Sequence, residues 1–288
     1  FTDVTSEAFR GSEFPAKRVC GPNTLTIGIS QSGETKDTLD ALQEAKRAGG
    51  MISSFCNVIG STISRLTGNG AYLHAGPEFA VASTKVFTNM VSIVLLLALT
   101  ISEINSKERI RIVQDLRELP NKVSLNLRED DGPLDAAVSI LSEARSAIFI
   151  GRGISAPLVE EGALKMMEIS YIHCISVPGG ELKHGPIALI DEKMPVVCLA
   201  PNDRTYDKVL SNIQEVKARK GVIISVTDKR TLELEKVSDY IIDVPSTHPK
   251  VFPILSSISL QLLAYHLAVL RDCNVDQPRN LAKSVTVE

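Results

Sequence analysis

Residues 25–57 and 195–228 carry the same order of features: an apolar run, a polar turn, an amphipathic stretch, glycine and a second apolar run. Thr35 and Asp37 fall opposite Thr205 and Asp207, and Gln43-Glu44-Ala45-Lys46 matches Gln214-Glu215-Val216-Lys217 with a one-residue slip. Both copies continue into a short strand, at 71–74 and 240–244, and then a long apolar helix. A chain that repeats such a unit folds as two copies of one domain. The 288 residues suit this, because a single core seldom grows past about 250–300 residues.

Val- and Ile-rich runs predict strands at 24–30, 51–57, 147–150, 173–177, 196–200, 222–227 and 240–244. Amphipathic or apolar stretches predict helices at 35–47, 84–100, 158–169, 206–219 and 254–270. Strands alternating with helices give an α/β fold of parallel sheets covered on both faces. The expected domains are 1–125 and 135–288. Their joint near 120–135, with Pro120 and Asp130-Asp131-Gly132-Pro133, reads as helix plus turn. The second copy has an additional βα segment, 147–170, that the first lacks. The chain also starts at Phe1 instead of Met. Both observations read as a first domain without its beginning, which leaves a sheet edge open.

With 23% charged residues, net charge −3 and no block of like charge, nothing recruits a nucleic-acid backbone or an anionic membrane. The five cysteines are odd in number and widely spaced, with no C-x-x-C, which argues for a reducing, cytoplasmic setting and against a disulfide framework. No secretory leader is visible, and the longest apolar run, 91–101, falls short of the ~20 residues a bilayer requires. That run reads as a buried helix.

The segment Ser30-Gln31-Ser32-Gly33-Glu34-Thr35 follows an apolar strand and opens a helix. Unpaired amides at a helix start favour an anion, Ser30, Ser32 and Thr35 add hydroxyls, and Gly33 permits close backbone approach. The segment reads equally as a helix N-cap with an acidic first turn. A competing pattern, Gly151-Arg152-Gly153-Ile154-Ser155-Ala156, fits G-x-G-x-x-[GA], but no acidic residue ends the next strand. A tight strand-to-helix turn explains it better than a dinucleotide site.

Glu161, Lys165 and Glu168 share one helix face, which alone suggests a surface ion pair. Their surroundings at 163–172 are otherwise largely apolar, and a carboxylate beside a ligand in such surroundings is tuned as a general base. His184 sits in Gly179-Gly180-Glu181-Leu182-Lys183-His184-Gly185-Pro186, a poor core segment and a plausible active-site loop. No second His lies at metal-ligand spacing, so no metal or other cofactor is expected. Near the C-terminus, Lys283 reads either as a solvated lysine on a frayed tail or as an amine delivered to a pocket, with Leu281, Val285 and Val287 tying the tail down.

S-Q-S-G-E-T at 30–35, A-G-P-E at 75–78 and V-A-S-T-K at 81–85 occur with E-G-A-L-K-x-x-E-I-S-Y-I-H at 161–173. G-E-L-K-H-G-P at 180–186 and the ending P-R-N-L-A-K-S-V-T-V-E complete the set. Together they closely resemble the isomerising glutamine:fructose-6-phosphate aminotransferases, also called glucosamine-6-phosphate synthases, over essentially the whole chain. The resemblance is to their isomerase half and implies two sugar-isomerase (SIS) domains of three-layer, flavodoxin-like form. It implies that Ser30, Gln31, Ser32 and Thr35 bind a sugar phosphate and that Val81, Ser83 and Ala282 contact the ligand. It further implies that Glu168 moves a proton between C1 and C2 with Lys165 assisting, and that Lys283 forms a Schiff base with the open-chain ketose. His184 opens the sugar ring from a neighbouring subunit, so a homo-oligomer, at least a dimer, is implied.

The implied reaction turns fructose 6-phosphate into glucosamine 6-phosphate, the first step of hexosamine and UDP-N-acetylglucosamine synthesis. Its ammonia comes from a glutaminase domain that this sequence does not contain. The C-G-T-S loop of the first SIS domain is absent too, which puts the fragment's own activity in question. Other SIS sugar-phosphate isomerases or deglycases, and a non-catalytic sugar-phosphate sensor, are the alternatives. In eukaryotic members a nucleotide-sugar regulates the enzyme, and residues 60–67 are a candidate place for it.

Overall fold

The computed structural model describes residues 4–17, 20–127 and 132–283. The expected tail anchors Val285 and Val287, and Asp130 and Asp131 of the expected joint, lie outside the described residues. Residues up to Ile104, together with those from Asn280 on, form one compact unit, and Asn105–Arg279 form a second.

The first unit runs through a 3-10 turn at Gly11–Glu13, α1 (Phe14–Lys17), β1 (Leu25–Ser30), α2 (Lys36–Arg47), β2 (Met51–Cys56), α3 (Thr62–Thr67), β3 (Gly70–Tyr72) and α4 (Lys85–Ile101). The sheet is parallel in the order β1-β2-β3, in register from Leu25↔Met51 to Ser30↔Cys56. Leu42 and Ala45 of α2 pack with Ile52, Cys56 and Ile63 on one face. Phe55, Leu73 and Val86 form the core on the other.

The expectation that 91–101 is a buried helix holds for the helix and only in part for the burial: Leu95 and Leu99 are buried. Val86, Met90, Ile93 and Leu97 of α4 form a stripe against Phe55 and Leu73. Val94, Leu96 and Ile101 point away from the three-stranded sheet and are exposed, because this unit offers the helix only one apolar partner.

The second unit comprises α5 (Ser106–Asn126), α6 (Gly132–Glu143), β4 (Ser146–Gly151), α7 (Ser155–Ser170), β5 (His173–Pro178), β6 (Pro195–Leu199), α8 (Tyr206–Lys217), β7 (Val222–Thr227), α9 (Leu232–Val237), β8 (Tyr240–Asp243) and α10 (Phe252–Leu270). All pairings are parallel in the order β5-β4-β6-β7-β8. Ile148 of β4 lies opposite Ile175 on one side and Val196 on the other, so the winding reverses between β4 and β6. Strands β6-β7-β8 repeat the order β1-β2-β3, as the duplicated sequence requires.

Helix α10 is long and apolar enough to cross a membrane. It is instead the central core helix of the unit, with Phe252, Leu255, Leu260, Leu263 and Leu267 buried. It lies against α7 at Gly162, where a Cβ would sit 2.6 Å from the Leu260 side chain. Arg271, just past α10, donates to the carbonyls of Ser142 and Ala144 at 3.1 and 2.9 Å, satisfying the end of α6.

The sequence places the joint near 120–135, whereas the units divide before α5, for a physical reason. Asn126 at the end of α5 donates to the Leu255 carbonyl at 3.0 Å and accepts from Ser259 at 3.2 Å. Earlier in α5, Asp115 meets Lys122 at 2.5 Å and accepts the His248 amide at 2.6 Å. These bonds fix α5 to α10 and to the loop that leads into it.

Burial pushes the Asp115 carboxyl up, but the bonds from Lys122 and the His248 amide outweigh it and hold the group below its ordinary range. A depressed folded pKa adds stability above the unfolded value, and that stability is lost as pH falls through the folded value. Asp115→Asn should cost about 1–3 kcal/mol at neutral pH in urea unfolding. The gap to the parent should close as pH drops below about 4; a gap independent of pH would contradict this assignment.

Candidate active site

In the first unit, the loop after β1 is held by its own side chains. The buried Ser30 hydroxyl accepts the Gly33 amide at 3.0 Å and pairs with the Thr35 hydroxyl at 2.9 Å. Ser32 accepts the Glu34 amide at 3.1 Å. Gly33 has φ +65°, and a Cβ there would lie 2.0 Å from the Ser61 hydroxyl, so only glycine fits.

The N-cap reading of this loop does not hold in its simple form. Thr35 occupies the N-cap of α2 but makes no side-chain capping bond, its hydroxyl being engaged by Ser30. Glu34 accepts the Thr62 amide at 2.9 Å and thereby serves the start of α3 instead. Hydrogen bonds from Thr62 hold its carboxyl below the ordinary range. Helix α2 therefore begins beside a pinned loop with no side-chain cap at its mouth, a geometry suited to an anion.

Gln31 and Ser32 line a cavity of about 410 Å³ together with Asn57, Glu78 and Lys283. The tail thus returns to the first unit, where the exposed Lys283 borders this cavity. Its Nζ stands 3.5 Å from Glu78 and donates to the Ala80 carbonyl. Glu78, only 4% exposed at its side chain, also accepts from the Thr84 amide at 2.8 Å and from Ser83 at 3.2 Å. Val81 is half-buried and Ala282 exposed in the same unit.

The motif reading passed over Glu78 and Asn57, although A-G-P-E was in view. Asn57 donates to the Gly76 carbonyl at 2.8 Å and accepts the Ala75 amide at 3.0 Å, bracing the segment that carries Glu78. An acidic residue five positions before the serine of the V-A-S-T-K motif was the available signal.

In the second unit, Glu161, Lys165 and Glu168 are not a surface pair. The Lys165 side chain is 6% exposed on α7, 2.5 Å from Glu168 and 3.5 Å from Glu161. Loss of hydration on burial pushes the Glu161 carboxyl up. One ammonium thus stands within reach of two carboxylates on the same helix face. His184 ends a 3-10 turn at Leu182–His184 and is exposed, followed by Gly185 at φ +145°.

Two parallel α/β units with chemistry at the loops leaving their strands match one known class. A family model of the SIS domain matches residues 2–100 and 140–271, and the chain belongs to the SIS-domain family. Over its full length it is 49% identical to Glutamine--fructose-6-phosphate aminotransferase [isomerizing] of Chlorobaculum tepidum, covering 100% of this chain and 47% of that protein. The chain spans about half the length of the curated relatives it matches.

Among solved structures, the C-terminal domain of glucosamine-fructose-6-phosphate aminotransferase from Francisella tularensis superposes with TM-score 0.85 at 36% identity, over 93% of this chain and 77% of that one. Glucosamine-6-phosphate deaminase from Thermotoga maritima superposes with TM-score 0.75 at 18% identity, over 96% and 80%, and shows the shared fold alone.

The two serines of the loop should behave differently. Ser30→Ala strands the buried Gly33 amide and should cost about 1–3 kcal/mol in urea unfolding. Ser32→Ala should change stability by less than about 0.5 kcal/mol while weakening the binding of inorganic phosphate in calorimetry. Equal stability loss in both, with affinity untouched, would contradict the division.

Proposed function

We propose that this chain is the isomerase part of an isomerising glutamine:fructose-6-phosphate aminotransferase. Its ligand is fructose 6-phosphate, and its product in the complete enzyme is glucosamine 6-phosphate, the first step of hexosamine synthesis. The observation that carries the reading is the single cavity lined by Gln31, Ser32 and Lys283, which sets an amine beside an anion cradle.

In this proposal Ser30, Gln31, Ser32 and Thr35 hold the phosphate, while Val81, Ser83 and Ala282 contact the sugar. The phosphate supplies binding energy remote from the reacting carbons. The Lys283 amine adds to the C2 carbonyl of the open-chain ketose and water leaves, giving an imine. Ammonia attacks C2 of this imine and expels the Lys283 amine, leaving a C2 ketimine that acidifies the C1–H bond. Glu168, with Lys165 beside it, takes that proton and returns it at C2, giving the 2-amino aldose. His184 serves ring opening from a neighbouring subunit of a homo-oligomer. Ammonia is delivered by a glutaminase domain of the complete enzyme, and five thiols that form no disulfide suit a cytoplasmic setting.

The test is conversion of fructose 6-phosphate to glucose 6-phosphate, followed by coupled oxidation. Glu168→Gln should lower kcat by about 100-fold or more while leaving fructose 6-phosphate affinity within about threefold. Unchanged turnover in Glu168→Gln removes the proton-transfer role. Tight binding with no turnover in the parent chain points to a sugar-phosphate sensor instead.

A further inference from the structure

The G-x-G segment at 151–153 is not used by the proposed reaction, yet it borders a second cavity, of about 360 Å³, inside the second unit. That cavity opens where the strand order reverses, at the carboxyl ends of β4 and β6, the place where open parallel sheets take ligands. It is lined by three cations, Arg152, Arg204 and Lys208, against one carboxylate, Glu181. Neither Arg204 nor Lys208 has a salt bridge or side-chain hydrogen bond among the described residues. The nearby Asp203 carboxylate is already engaged, accepting from the Thr205 amide at 2.7 Å and the Thr205 hydroxyl at 2.6 Å.

Arg152 is preset. Its Nε donates to Asn212 at 2.8 Å, and a Cβ at Gly180 would lie 3.3 Å from its guanidinium, so the glycine makes room for the arginine. Internal symmetry adds a separate argument. Arg204-Thr205 precedes α8 as Glu34-Thr35 precedes α2, so Arg204 stands in the turn that matches the other copy's loop at 30–35.

We infer that the second unit carries its own anion site, for the phosphate monoester of a small organic molecule, distinct from the cradle at 30–35. A lining richer in cations than in carboxylates suits a phosphate dianion, and the fork of an arginine suits its oxygens. The volume leaves space beyond the phosphate for the group that bears it.

Arginine labelling of the 288-residue chain with phenylglyoxal, mapped by peptide mass spectrometry, tests this with inorganic phosphate and with glucose 6-phosphate as probes. Labelling of Arg204 should slow about tenfold at ten times the probe's dissociation constant, while exposed Arg117 is unaffected. Chloride at matched ionic strength should give no such protection. Lys208→Ala should move the protection curve to about tenfold higher probe concentration. Ser32→Ala, which weakens the cradle, should leave Arg204 protection intact. Equal slowing of Arg204 and Arg117, no slowing of either, an unmoved curve in Lys208→Ala, or protection lost in Ser32→Ala would each overturn the proposal.

Discussion

Every strand in both units is parallel, and the chemistry depends on that single constraint. A parallel strand must be followed by a crossover before the next, so all loops leaving carboxyl ends emerge along one edge. The loop at 30–35 leaves β1, the segment 151–154 leaves β4, the Gly179–His184 stretch leaves β5 and the 200–205 turn leaves β6. Each lies at a strand-to-helix transition, where backbone amides lack helical partners and small residues let ligands approach. The duplicated pattern therefore yields two such edges, one built from hydroxyls and the other from cations.

Charge placement divides the work further. In the first unit, Glu78 is buried and meets Lys283 at 3.5 Å while accepting two other donors, so the amine is anchored without being consumed by a tight pair. In the second, Lys165 stands between two carboxylates on a helix held close against α10 at Gly162. Burying three charges is costly, and one shared ammonium offsets only part of it. Glu161, pushed up by its burial, shows where that imbalance is felt.

Much of this was legible in the sequence, and for physical reasons. The apolar runs and five of the long helices follow from hydrophobic patterning, and β7 matches its predicted bounds of 222–227. Helix α5, with its low apolar content, and α6 were not among the predicted helices. Helices α3 and α9, six residues each, are too short to show a period and were not foreseen. The loop at 30–35 was visible as hydroxyls and glycine, but not that Ser30 is used to hold the loop together or that Glu34 serves α3 and not α2. Glu78 carried no periodic signal, and its spacing to Ser83 does not by itself show what it binds. Its importance comes from a tail residue more than two hundred positions away, which only the folded chain brings to it.

The central claim is that the Lys283 amine and the phosphate cradle serve one sugar phosphate. Borohydride reduction during incubation with fructose 6-phosphate tests it most directly, because it converts an imine into a stable secondary amine whose position mass spectrometry reads. The account predicts a hexitol phosphate adduct on the peptide containing Lys283. Adduct on another lysine, or none while aldose is still formed, would contradict it.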